Sequence, residues 1–316
     1  MSLSDLVTTV RDKSNFLELP NYLDFCRSYL EFAENGLQAI IVSQNENHYH
    51  FFQYKEDGHF NISRPINSRL MYSAADSMIS GSEFLDVLNS VRDLPRDDKA
   101  RREILVRGIY TIQQSIGAAL DALPANASNF ARKINGDLFE RLMQLLIRAV
   151  GVECRTGTVQ VPVYVEDDLQ FHMSYQHDLL LYGGDEIKAI GSVKTSSKDR
   201  IDKIFLDKFL YCKLTETNLP HIAIFLNDVQ RKAARRENEY GINSTFLSGH
   251  FKAFTVKLNP LDGVYYCDIR PNMQSDSLLA PHIQTIDHFF CTDLWNFLAE
   301  EGTPLTEVGV TEDQSL

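Results

Sequence analysis

Asp178 opens an apolar run, DLLLY, and Lys194 closes another, IKAIGSVK; the two runs are separated by Gly183-Gly184-Asp185. Both runs have strand composition and the spacer is a turn signal, so the pair reads as an antiparallel hairpin. Folding it near Gly184 sets Asp178 opposite Ile190 or Gly191, with Ser192 and Lys194 projecting beside it at one end of a sheet. A carboxylate and a lysine converging from two strands suit phosphodiester hydrolysis. That reaction needs a divalent cation to neutralise phosphate charge and activate water, and magnesium prefers carboxylates together with waters.

Glu186-Ile187-Lys188 has the acid-x-lysine spacing that Ser192-Val193-Lys194 lacks. It lies in the turn, however, about five residues or roughly 16 Å along the strand from the rung of Asp178. It therefore reads as a solvated turn pair. With serine in the acid slot, a second carboxylate has to come from another element. Asp207, thirteen residues after Lys194, shares a helical face with Arg200 and Lys203, a face expected to look into the cleft. Glu140, on the preceding helix, is a third candidate, directly or through water. Lys198-Asp199-Arg200 follows the lysine; basic, acidic and basic side chains match cationic donors to guanine and a carboxylate accepting from cytosine N4. A helix cap at Asp199 is the plainer reading, and the two are compatible.

The elements that must position these residues alternate in type. A helix over Gly136–Val150, capped by Asn135 and stopped by Gly151, precedes strand-like VQVPVYV, SYQHDLLLY, IKAIGSVKT and HIAIFL, with a helix DRIDKIFLDKFLYCKL before the last. The fold class expected is α/β or α+β, a mixed β-sheet flanked by helices. Upstream, PNYLDFCRSYLEFAENG and DDKARREILVRGIYTIQQSIGAALDAL read as helices, LQAIIVS and NHYHFFQYKE as strands. The division expected is a helix-rich region 1–125 contacting DNA or a dimer partner, a nuclease core 126–300, and a flexible tail 301–316, with PANASN (124–129) as the boundary loop.

With 316 residues, 44% of them hydrophobic, the chain can bury a full core. A net charge of −12 argues against non-specific coating of nucleic acid while permitting a local basic cleft. Positive charge gathers in KTSSKDRIDK (194–203) and QRKAARR (230–236), each of which also reads as a solvated helix face. Five dispersed cysteines form no CxxC pair and read as buried thiols. There is no run of about 20 apolar residues and no signal-like start, so a cytoplasmic protein without a membrane role is expected. His48-x-His50 lacks a third ligand at suitable spacing, and neither GxxxxGK[ST] nor GxSxG occurs.

Asp178, Ser192-Val193-Lys194 and Asp207 together resemble the migrated-carboxylate form of the PD-(D/E)xK nucleases. Within that group the chain, from about Asn135 to Pro271, resembles type II restriction endonucleases that read CCGG, CCNGG or CCWGG. The resemblance implies that Asp178, Asp207 and Glu140 hold Mg²⁺ and that Lys194 handles the attacking water. It also implies that Lys198-Asp199-Arg200 reads CC:GG pairs, and that products carry 5′-phosphates. Three departures are His177 where the family often has proline, Asp207 for glutamate, and Lys198 for arginine, which lacks the bidentate fork. The partners implied are palindromic double-stranded DNA, a second copy in a homodimer or tetramer, and a methyltransferase of the same specificity in the host. Two other classes stand beside this one: a structure-specific or repair nuclease, which would not need the triplet, and a DNA-binding protein whose nuclease centre has decayed.

Overall fold

The computed structural model describes residues 1–56, 59–76, 82–198, 200–233, 239–300, 302–304 and 309–312. The N-terminal region begins with α1 (Leu3–Arg11), opened by a capping box between Ser2 and Asp5, and α2 (Leu19–Asn35), with proline in its first turn. Four strands follow, β1 (Ala39–Val42), β2 (Tyr49–Glu56), β3 (His59–Ile62) and β4 (Ile66–Asn67), the other three each antiparallel to β2. After α3 (Glu83–Asn89) comes α4 (Lys99–Leu120), buried on every side from Ile109 onward. Its buried polar groups are largely spent internally: Tyr72 N–H bonds the Thr111 hydroxyl and Ser115 bonds the Thr111 carbonyl. Such a helix is a central pillar, not a surface element.

The pillar packs on α5 (Ser128–Ala149), which covers one face of an eight-stranded mixed sheet. The sheet contains β5 (Glu153–Val165), β6 (Asp168–Gly183) and β7 (Glu186–Ser196), joined antiparallel, then β8 (His221–Asn227), β11 (Gly263–Tyr266) and β12 (Ile283–Thr285), joined parallel. Every residue of HIAIFLN in β8 is buried, as expected of a parallel strand covered on both faces. Leu179, Leu181, Ala189 and Val193 point toward α4 and α5; Leu180 and Ile190 point the other way, to α6 (Ile201–Thr215) and its Tyr211. The expected class, a mixed sheet between helices, is what the structure shows.

Several boundaries move. Asn135 lies inside α5 rather than capping it, because its side chain and carbonyl both accept from Gln113 on α4, so the helix starts at Ser128. Gly151 does end it, at φ +87°. The Gln230–Arg231 pair is in a strand, β9 (Val229–Arg231), paired to β10 (Ile242–Ser244), not on a helix. The expected boundary at 125/126 coincides with no break in packing: one apolar cluster runs from Leu6 through Ile116 and Leu142 to Ile224. The Tyr22 hydroxyl donates to the Leu138 carbonyl across it. Within the expected tail, β13 (Thr303–Pro304) pairs with the Glu186–Ile187 end of β7, and β14 (Gly309–Glu312) pairs with β5 at the sheet edge. No described helix is long and apolar enough to cross a membrane.

Candidate active site and nucleic-acid cleft

β6 and β7 form the hairpin expected from Gly183-Gly184, with Gly184 at φ +64°. A bulge between Leu181 and Tyr182 shifts the register by one, so Leu179, not Asp178, faces Gly191. Asp178 therefore stands one step past the last paired rung, where the two strands part. There its Oδ2 accepts the Val193 N–H at 2.8 Å and the Lys194 ammonium at 2.6 Å. Lys194 also donates to Glu140 Oε1 at 2.8 Å, so one ammonium is shared by carboxylates from a strand and from α5. Gln144, one turn beyond Glu140, donates to the Asp178 carbonyl at 3.1 Å and ties the strand end to the helix.

The side chains of Asp178, Glu140 and Lys194 keep 16, 21 and 29% of their exposure. Burial, then the neighbouring Asp178 charge, raises the Glu140 carboxyl to about 7 against the opposing pull of Lys194. Burial alone would lower Lys194, but the Asp178 and Glu140 charges outweigh it and keep the ammonium protonated. Both hydrogen bonds to Asp178 go to Oδ2 and the Lys194 bond to Glu140 goes to Oε1, which leaves one oxygen of each carboxylate without a protein donor among the described residues. Two half-buried carboxylates with open oxygens fit magnesium, which takes one or two protein carboxylates and completes its shell with water and phosphate.

Asp207 is not brought to this cluster. Its carboxylate pairs with Lys203 at 3.0 Å and its charge acts on Tyr175, which packs against Tyr211 on the α6 side of the sheet. No three histidine, cysteine, aspartate or glutamate side chains among the described residues converge to hold a metal. The helical face carrying Lys203 and Asp207 turns toward β6 instead of the cleft, because α6 packs on the sheet face opposite α5. His177, beside Asp178, is buried against Tyr175 and His221; burial lowers it to about 3, so it stays neutral. Glu186 and Lys188 bond each other at 2.6 Å, away from Asp178, and Lys188 also holds the Glu300 carbonyl.

Next to the cluster, Lys198 and Arg200 line a cleft of about 760 Å³ together with Thr195, Asn135 and Arg64. The Lys198 ammonium reaches Gln230 Oε1 at 3.2 Å, while Arg200 stands exposed just ahead of α6. Asp199 lies outside the described residues. Sequence reasoning missed Gln144 and Arg64. Gln144 was signalled only by its spacing of four from Glu140, and Arg64 by nothing local, since its partner Asp121 is 57 residues away.

No protein-family model matches the sequence, and no curated protein matches it. Among solved structures the fold is similar to that of the Type IIP restriction endonuclease Kpn2I, with a TM-score of 0.67 and 16% identity over 95% of this chain and 99% of that one. A complex of restriction endonuclease PspGI with substrate DNA aligns over 71% of this chain and 91% of that one at 11% identity; its TM-score of 0.42 is too low to bear on function. The chain has the restriction-endonuclease fold.

Proposed function

We propose that this protein is a magnesium-dependent, sequence-specific endonuclease acting on double-stranded DNA in the manner of type II restriction enzymes. The observation that carries the reading is Lys194 held between Asp178 and Glu140 where β6 and β7 separate, in a fold shared with a restriction endonuclease. Asp178 and Glu140 would hold the magnesium ion, which when bound neutralises phosphate charge and acidifies water. Val193 N–H fixes the orientation of the Asp178 carboxylate, and Gln144 fixes the backbone beneath it. The Lys194 ammonium is then a donor aimed at the attacking water and at the oxygens of the pentacovalent phosphate, where preorganised donors count most. The lysine stays charged between its carboxylates, so its part is to orient and stabilise, and a proton leaving the water passes to solvent.

Lys198 and Arg200, which line the cleft beside the site, would donate to guanine in a CC:GG-containing palindrome. Attack of water on phosphorus would break the P–O3′ bond, with the 3′-oxygen leaving, to give a 3′-hydroxyl and a 5′-phosphate. A palindrome is matched most simply by a two-fold homodimer, and a host would carry a methyltransferase of the same specificity. The test is digestion of mixed plasmid and phage DNA with Mg²⁺ by wild type, Asp178→Ala and Lys194→Ala. Discrete fragments ending at one palindrome, lost in both variants, are expected. A smear or junction-selective cutting points to a repair nuclease, and no metal-dependent cutting of unmethylated DNA removes the enzyme reading.

A further inference from the structure

The cleft that holds Lys198 and Arg200 continues into a second hollow of about 740 Å³; the two share Ile62, Arg64, Asp121, Arg132 and Arg231 and so form one trough. In a chain of net charge −12 the sign is locally reversed. Five cations line the trough, and among its described lining residues Asp121 is the sole carboxylate. That carboxylate is already engaged by Arg64, whose Nε and Nη2 donate to Oδ2 and Oδ1 at 2.8 and 2.9 Å.

The other cations are presented. Arg132 is exposed near the start of α5, a 22-residue helix whose first residue, Ser128, also lines the trough, so the positive helix end adds to the field. Arg231 is exposed on β9 and lies over the Tyr240 ring at 5.2 Å, which limits its rotamers. Neither has a carboxylate partner among the described residues. Asn135, 3% exposed, lines the cleft with its Oδ1 occupied by Gln113, which leaves its amide Nδ2 as a donor there.

We infer that the trough is a phosphate track for duplex DNA, in which Arg132 and Arg231 each take a backbone phosphate beyond the bases that Lys198 and Arg200 face. The inference rests on the nuclease reading above. Phosphate rather than base contact follows from chemistry: this stretch holds cations without a free carboxylate, whereas reading cytosine needs an acceptor. The track positions the duplex so that a phosphate falls at Lys194, and it gives the N-terminal region a task, since Arg64 and Asp121 form its far wall.

The experiment measures affinity of the full chain for a duplex carrying the mapped cleavage site and for an unrelated duplex, without Mg²⁺, over a range of salt. The proteins are wild type, Arg132→Ala, Arg231→Ala, the double variant and Arg132→Lys. Each alanine should weaken both duplexes equally and reduce the slope of log affinity against log salt by about 0.9, and the double variant by about 1.8. Arg132→Lys should restore the slope. A double variant with wild-type slope overturns the track while the nuclease reading stands, and a changed preference between the two duplexes overturns it in favour of base reading. If wild type neither binds nor cuts duplex DNA, the nuclease reading fails and the track fails with it.

Discussion

Lys188 and Lys194 lie on one strand, β7, six residues apart, and each holds a carboxylate at 2.6 Å. By spacing alone Lys188 has the better motif, since Glu186 is two residues before it and Ser192 occupies that slot for Lys194. The surroundings reverse the ranking. Lys188 bonds its own strand neighbour and the Glu300 carbonyl, which secures the C-terminal segment. Lys194 instead bridges two carboxylates that arrive from β6 and α5, both half-buried, one of them raised by burial to about 7. Chemistry comes from convergence between elements, and a local acid-lysine pair satisfies itself.

The comparison can be broken at its strongest point first. Lys194→Ala or Asp178→Ala should lower the cleavage rate by about 10³-fold or more, in line with loss of preorganised charge at the reacting phosphate. Lys188→Ala should leave the rate within about twofold and act on thermal stability only. Equal losses at both lysines would erase the distinction. Glu140→Gln should come next, with a loss of about 10²-fold and a changed pH response. Glu140 must lose its proton to hold a cation, so metal affinity in wild type should climb as pH rises through about 7, and the glutamine variant should flatten that climb.

Stability runs in the opposite sense. Because folding raises the Glu140 carboxyl to about 7, the metal-free protein gains its full contribution below the unfolded value near 4.5 and loses it as pH rises through about 7. Metal-free melting curves at pH 5 and pH 8 should therefore differ less in Glu140→Gln than in wild type. Gln144→Leu leaves the Asp178 carbonyl without its donor, at a cost of about 1–3 kcal/mol. Its rate should fall roughly tenfold, about 1.4 kcal/mol on the barrier, with substrate affinity unchanged, as befits a positioning residue. Asp207→Asn should have the smallest effect, because its pair with the exposed Lys203 is worth at most about 1 kcal/mol. A large loss of cleavage there would show that the ligand set includes Asp207 after all.

The sheet, the central hairpin and the gathering of Asp178, Lys194 and Glu140 were legible because strand alternation, a glycine turn and a leucine stripe are local signals. The register was misread by one residue because a bulge at Leu181/Tyr182 leaves no mark in composition. Asp207 was misplaced for another reason: its helical face was identified, but which side of the sheet the helix would cover depends on α4 and α5 already filling the other. Asn135 misled as a cap because a partner on α4 takes its side chain. The trough was invisible, since it joins Arg64 to Asp121 and both to Arg231 across most of the chain.

Gly117 is neither in the Asp178–Lys194–Glu140 cluster nor among the residues lining the trough, yet it sets the charge of one wall. Arg64 lies flat across it, so close that a Cβ there would come within 2.2 Å of Nη1. The guanidinium ends a flexible side chain, so it can swing aside for an alanine only by giving up its two-point bond to Asp121. Losing that bond would bare a carboxylate where a polyanion is expected to lie. A single methyl group, buried in a helix with no chemistry of its own, would then act as a dial on nucleic-acid affinity.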